Sequence, residues 1–327
     1  MWIETEIEKY MREQISQDFN DNEAKTYLSQ YDYAKSYLEN NIYSFIATKE
    51  PGLTDHSDKH IENVLKNLWF LINDEKNRFN SIELYLLCLC VLFHDSGNIN
   101  GREGHNKKIA DIYEEIIGND SRRLQERRLV LSIVKAHCGE SIRGDKDTLI
   151  EVDEKSDLYS KEIKTREIAG IIRFADELAE GPQRTSDFLL KNGTIDSGSI
   201  IYHKYASITN IFIDKGNGRV ALTYNIEYPV NEVEISKLLE CIYKRIIKLD
   251  LERRYCKYYS SVLDKFKRTD AQINICHRGE DLIDLPKIEL GDKYLISDET
   301  EDCIIFSRYP QLKTELVITE LEKQKID

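Results

Sequence analysis

The stretch that most limits how this chain can fold is IELYLLCLCVLF, residues 82–93, in which a single glutamate interrupts an otherwise apolar run. Wound as a helix, it presents apolar side chains on every face, so other elements have to surround it. The run stops on His94 and Asp95. Glycines at 97, 101 and 104 and then His105 follow within VLFHDSGNINGREGHNKKIA. A central helix of this kind carries an imidazole and a carboxylate into the middle of the fold, so the same few residues constrain architecture and chemistry together.

The elements around it follow from periodicity. Leu28, Tyr31, Leu38, Ile42 and Phe45 recur at three-to-four spacing and predict one amphipathic helix over 23–47, ending before KEPG. A second helix is expected to start from a cap at Asp55 or Asp58 and to run to about residue 72, with Ile61, Val64, Leu65, Leu68 and Leu71 inward. Helices over about 105–118, 121–138 and 162–180 make residues 1–194 an all-α bundle. From 195 the period changes. Val220, Leu222, Tyr224, Ile226 and Tyr228 alternate strictly, and KGNG before them is a hairpin turn to a strand around 207–214. A long helix is expected over 231–267, with Val233, Ile235, Leu238, Leu239, Ile242 and Ile246 on its apolar side, and then strand-like runs such as KIEL and CIIF. The chain therefore reads as mainly α, a helical bundle with a smaller C-terminal α+β appendage over 195–327.

Chemistry enters through side chains that share the apolar faces. His60 lies four residues before Val64 and eight before Leu68, and His137 lies four after Ile133. Asp176 follows Ile168 and Ile172 at four-residue spacing, so its carboxylate projects from a buried stripe. Such a carboxylate needs a cation, a metal or a proton. Arg173, three residues back, is one partner, and a metal held with the histidines of the bundle is the other. His60, His94, Asp95 and Asp176 form a mixed imidazole and carboxylate set suited to a divalent ion: Mn, Fe, Co, Ni, Zn or Mg. His105 and His137 extend it to a second ion, with Asp95 as the bridging candidate. Two ions so held clamp a phosphoryl oxygen and acidify a bound water, which suits water attack on a phosphate ester.

The order His60, His94-Asp95, Asp176 resembles the H…HD…D signature of the HD-domain metal-dependent phosphohydrolase superfamily over about residues 40–190. KHIENVL is similar to its first histidine motif, LFHDSGN to its HD-x-G turn, GREGHNKKIA to the segment with an additional histidine, and IVKAHCGE and IIRFADELAE to its closing helices. The resemblance implies an HD-type bundle. His60, His94, Asp95 and Asp176 would be primary ligands of one or two divalent ions, His105 and His137 the extra ligands of the binuclear branch, and Asp95 and His94 the residues on which turnover depends. It implies hydrolysis of a small nucleotide or related phosphorylated metabolite by metal-activated water. Two other readings share the ligand set: a regulatory module that senses a nucleotide without turnover, and a di-iron oxygenase.

Substrate contacts are sought nearby. Lys108, with Arg102 and Lys107, stands beside the His105 segment, as phosphate ligand or as solvated charge. Arg143 lies in the acidic segment 139–160, which is either a lid or a disordered insertion. Arg184 follows the last ligand helix and either reaches the pocket or stays at the surface. His56, four residues before His60, is a substrate contact or an exposed residue at the helix start. His203 and His277 fall outside the bundle and receive no metal role. The net charge of −13 argues against a nucleic-acid partner, while a bound metal can still admit a small anion. The N-terminus lacks the apolar core of a signal peptide, no run looks long enough to span a membrane, and seven cysteines without a CxxC pair read as thiols of a reducing compartment, so a cytoplasmic protein is expected. The apolar side of 231–247 is the expected contact for a second copy or a protein partner.

Overall fold

In the computed structural model, which describes residues 3–118, 120–193, 195–228, 232–292 and 304–324, the apolar run becomes the middle of a helical array. Helices α1 (Glu6–Asp18), α2 (Asp21–Leu38), α3 (Ser44–Lys49), α4 (Asp58–Ile72) and α5 (Ser81–Phe93) come first. They are followed by α6 (Ile109–Ile117), α7 (Leu124–Lys135), a hairpin of β1 (Ser156–Leu158) and β2 (Lys161–Ile163), and α8 (Thr165–Glu177). Every residue of α5 is buried, and α1, α2, α4, α7 and α8 all pack against it. Asn80 caps it by accepting from the amides of Ile82 and Glu83, while Glu83 reaches back to the Asn80 amide, a capping box that starts the helix sharply. Each fully buried Leu or Phe stabilises by about 1.5–3 kcal/mol, which makes α5 the element least tolerant of a polar replacement. Ser81–Asn100 does reach the length and apolarity of a membrane span, contrary to the expectation that no run would, but 94% of its apolar 18-residue window is buried inside the protein itself, as a core helix should be.

The predicted helix over 23–47 is interrupted. A π-helical turn at Glu39–Tyr43 separates α2 from α3. One extra residue in that turn rotates the following face, so Tyr43 and Ile46 are buried and Phe45, expected inward, is 51% exposed. The cap of α4 is Ser57, whose hydroxyl accepts from the Lys59 amide at 3.2 Å, rather than Asp55 or Asp58. Asp55 acts one step earlier, accepting from the Ser57 amide and hydroxyl at 3.0 and 2.8 Å. The five residues expected inward on α4 are fully buried. The segment 139–160 contains a 3₁₀ turn at Leu149–Glu151 and strand β1, and β2 occupies the residues where the helix before Asp176 was expected to begin.

The described chain divides into two compact units: Met1–Ala179 with Cys256–Leu263, and Glu180–Tyr255 with Asp264–Asp327. This division lies earlier than the change of pattern at 195. The second unit holds α9 (Asp187–Lys191), α10 (Ile200–Ile208), β3 (Thr209–Asp214), β4 (Arg219–Glu227) and most of α11 (Glu232–Tyr259). Then come β5 (Arg268–His277), β6 (Glu280–Asp281), β7 (Ile288–Gly291), α12 (Ile304–Arg308) and α13 (Thr314–Glu322). The sheet order is β3-β4-β5-β6, with β7 also on β5. KGNG closes the β3–β4 hairpin in the register Asp214 to Arg219, and β4 and β5 run parallel because α11 lies between them in the chain. Val220, Leu222, Tyr224 and Ile226 face the core as their alternation requires. On α11, Ile235, Leu238, Leu239, Ile242 and Ile246 are buried but Val233 is 64% exposed. KIEL contributes to β7, whereas CIIF does not form a strand: Ile304–Arg308 is helical and Cys303 lies outside the described residues.

Candidate metal centre

Four helix ends bring the chemistry of the first unit together. His60 sits in the first turn of α4, His94 caps the C-terminus of α5 with Asp95 next, His137 lies in the turn leaving α7, and Asp176 is in the last turn of α8. His105 opens the 3₁₀ turn His105–Lys107. Gly97 makes that turn possible: a Cβ there would fall 2.0 Å from the His105 carbonyl oxygen, so only glycine lets the two strands of chain touch. Asn106 then donates to the carbonyls of Lys135 and Cys138 at 3.2 and 3.3 Å, tying the His105 turn to the end of α7. Arg173, the alternative partner for Asp176, donates to the Ala136 carbonyl at 3.2 Å and to the Thr148 hydroxyl at 2.8 Å, bracing the same turn.

The six side chains form two adjoining groups with Asp95 between them. Asp95 Oδ2 lies 3.4 Å from His60 Nε2 and 3.3 Å from His94 Nε2, and Asp176 Oδ1 lies 3.2 and 3.5 Å from the same two nitrogens. Asp95 Oδ1 faces the other way, 3.2 Å from His105 Nε2 and 3.7 Å from His137 Nε2. The Nδ1 atoms of His94, His105 and His137 donate to the carbonyls of Val91, Arg102 and Val134 at 2.8, 3.1 and 2.5 Å. Each ring is thereby held in the tautomer that leaves Nε2 as an open lone pair. His60 Nδ1, His60 Nε2 and His94 Nε2 are buried without a hydrogen bond among the described residues. Asp176 is the partly open member, its side chain 24% exposed.

The electrostatics suit a bound cation. Burial works against the charge on Asp95, yet His94 and His56, with contacts from His105 and His137, hold its carboxyl well below the usual range. Asp176 is held low against burial by His60 and His94. Burial likewise opposes charge on His94, but Asp95 and Asp176 push it up to about 10. His105 is raised against burial by Asp95, and His137 by Cys138 and Asp95. A divalent ion bound by these groups would take the place of imidazole protons, because metal ligation requires the neutral ring. The separations fit this exchange, because a tetrahedral ion with ligand bonds of about 2.05 Å places its ligand atoms about 3.3 Å apart. His60, His94, Asp95 and Asp176 can hold one ion, and His105, His137 and Cys138 form a second group that could hold another, with Asp95 Oδ1 beside its two imidazoles.

The other sequence candidates fall in different places. His56 is buried, with Nδ1 bonded to the Thr54 carbonyl and Nε2 3.7 Å from Asp95 Oδ2, so it joins the cluster. Arg102 is half exposed, with Nη1 3.9 Å from Asp95 Oδ1. Lys108 Nζ donates to the carbonyls of Asn100 and Gly101 at 2.7 and 3.5 Å, closing the glycine turn. The Lys107 side chain lies outside the described residues. Arg143 is exposed in the turn after Ser141. Arg184 is buried in the second unit, in the turn Pro182–Arg184. His203 and His277 belong to the second unit. Sequence reasoning passed over Cys138. Its Sγ lies 3.6 Å from His105 Nε2, and although burial raises the thiol, His137 and His105 bring it down to about 6. The available signal was its place directly after His137 and before a glycine.

Against known proteins, the family model described as HD-CE matches residues 50–247, more than half of the chain. Neither a search of the curated proteins nor a search of the solved structures found a match.

Proposed function

Given that the chain belongs to the HD-CE family of HD-domain proteins, we propose that it is a metal-dependent phosphohydrolase acting on a small nucleotide or a related phosphorylated metabolite. The observation that carries this reading is the division of Asp95, one oxygen toward His60 and His94 and the other toward His105 and His137. Divalent ions bound there supply a Lewis acid for a phosphoryl oxygen and acidify a water to near neutrality. The protein's own side chains do the rest. Backbone carbonyls orient the imidazoles of His56, His94, His105 and His137 before any ligand arrives, which limits the reorganisation needed to assemble the site. Asp176, whose side chain is 24% exposed, would hold the attacking water. Arg102, half exposed and 3.9 Å from Asp95, would meet a phosphate. His56 Nε2 can hold a proton toward the leaving oxygen, with its ring fixed from Thr54. Lys108 and Arg143 remain proposed phosphate contacts of lower rank, Lys108 because it is engaged by main-chain carbonyls.

The net charge of −13 favours a small anion over a polynucleotide. A cytoplasmic setting is proposed on the cysteine pattern of the sequence, seven residues without a CxxC pair. In the second unit, a groove lined by Val233, Tyr243, Ile247, Phe306 and Ile318 is the proposed contact for a protein partner or a second copy. The deciding test of function is a metal-supplemented screen over nucleotides and phosphate esters, with orthophosphate and pyrophosphate measured separately. Release of either, lost in Asp95→Asn, supports the reading. Oxygen consumption by iron-loaded protein without phosphate release points instead to an oxygenase, and tight nucleotide binding without product to a sensor.

A further inference from the structure

The second group of ligands contains an atom that the two-ion reading does not use. Cys138 Sγ lies 3.6 Å from His105 Nε2, and His105 Nε2 lies 3.3 Å from His137 Nε2. These ligand atoms all fall within 4.8 Å of one another. Both imidazoles are buried and have their Nδ1 atoms committed to carbonyls, so two Nε2 atoms and a sulfur converge on one point beside Asp95 Oδ1. The sulfur is also fixed from behind. Asn106 donates to the Cys138 carbonyl, and Gly139, at φ +91°, turns the chain away where a side chain would press on the Asn106 amide. Cys88 and Cys90, by contrast, are buried within the apolar α5.

The donor set and its spacing suit a tetrahedral ion. A tetrahedral centre with metal–nitrogen bonds of about 2.05 Å and a metal–thiolate bond of about 2.3 Å sets N···N near about 3.3 Å and N···S near about 3.6 Å. An octahedral magnesium site at about 2.1 Å would bring neighbouring ligands to about 3.0 Å. The observed 3.3 and 3.6 Å, with Asp95 Oδ1 at 3.2 and 3.7 Å from the two imidazoles, lie nearer the tetrahedral thiolate centre than the octahedral one.

We propose that Cys138 is a thiolate ligand of the second ion, completing a set with His105, His137 and Asp95 that takes a borderline-soft tetrahedral metal such as zinc or cobalt(II) in preference to magnesium or manganese. This rests on the two-ion reading of the same centre. The first group, with two imidazoles and two carboxylates, has no sulfur and accepts harder ions, so the two positions differ in metal preference.

The test uses the full chain, stripped with a chelator and reloaded with cobalt(II). The proposal expects a near-ultraviolet thiolate-to-cobalt charge-transfer band in the unmodified protein. In Cys138→Ser that band is lost while visible cobalt absorption persists, and zinc affinity at the second position falls at least about 100-fold with manganese binding little changed. Visible cobalt absorption without a charge-transfer band in the unmodified protein overturns Cys138 as ligand and leaves the two-ion centre standing. No cobalt binding at all overturns both. Should Cys138→Ser fail to fold, alkylation of Cys138 in the unmodified protein, followed by peptide mass spectrometry, gives the same answer. Loading is expected to slow it by about tenfold or more, and an unchanged rate contradicts the proposal.

Discussion

At the scale of single residues, the centre depends on side chains that other side chains have already aimed. The hydroxyl of Tyr43 bonds the Leu92 carbonyl at the end of α5, and the Val91 carbonyl fixes the His94 ring, so the central helix delivers its ligands in one orientation. Gly97 is the most exacting position. In Gly97→Ala the new methyl meets the His105 carbonyl and displaces that turn, so zinc affinity at the second position is expected to fall about 10–100-fold while the first is retained. Metal titration with site occupancies resolved checks this, and equal weakening of both positions would count against the proposed division of ligands. The inward aim of His60, His137 and Asp176 was legible because each repeats an apolar stripe at four-residue spacing. Cys138 was not, because its approach to His105 depends on Asn106 spanning two segments, a contact that leaves no periodic trace. His56 was equally ambiguous: its burial follows from how the turn before α4 folds back, and not from a helical face.

At the scale of elements, periodicity located the helices well and failed where the helix itself changes type. The π-turn at Glu39–Tyr43 inserts a residue that an α-helical reading cannot anticipate, and the inward face slips from Phe45 to Ile46. Phe45→Ser is therefore expected to change stability by no more than about 0.5 kcal/mol, whereas Ile46→Ala costs about 2–4 kcal/mol. Urea unfolding of the two variants separates this register from the uninterrupted helix, which predicts the reverse order. Helices α1 and α2 are joined by a buried carboxylate: Glu8 accepts from the Thr5 amide at 2.7 Å, the Tyr31 hydroxyl at 2.8 Å and Lys35 Nζ at 2.7 Å. Burial raises its pKa, but Lys35, Thr5 and Tyr31 outweigh that and hold it below the ordinary 4.5. A depressed carboxyl contributes stability that is present above its unfolded value and is lost as pH falls through its folded one. The native chain should thus lose stability below about pH 4.5, and Glu8→Gln should start less stable at neutral pH and lose less over that acid range. Parallel acid slopes for the two proteins in urea midpoints would refute the clamp.

At the scale of the whole molecule, the change from helical to alternating pattern was legible in the sequence, but the return of the chain was not. Residues Cys256–Leu263, at the end of α11 and beyond, belong to the first unit. There Glu167 accepts from the hydroxyls of Ser260 and Ser261 and from the Val262 amide, the Tyr259 hydroxyl bonds Asp147, and Val262 and Leu263 are fully buried. A local pattern cannot announce a partner so far away in the chain. A fragment ending at 179 leaves the buried surface of α8 uncovered, so it is expected to unfold at lower temperature than the full chain or to aggregate, and calorimetry of both would show it. An equally stable fragment would mean that 256–263 contribute nothing to the bundle. The central claim, that Asp95 joins two ion positions, is tested most directly by elemental analysis of the full chain after zinc loading and removal of excess. The account predicts two ions per chain in the native protein and near-complete loss of both in Asp95→Ala with the helical fold intact, whereas native stoichiometry in that variant would contradict it.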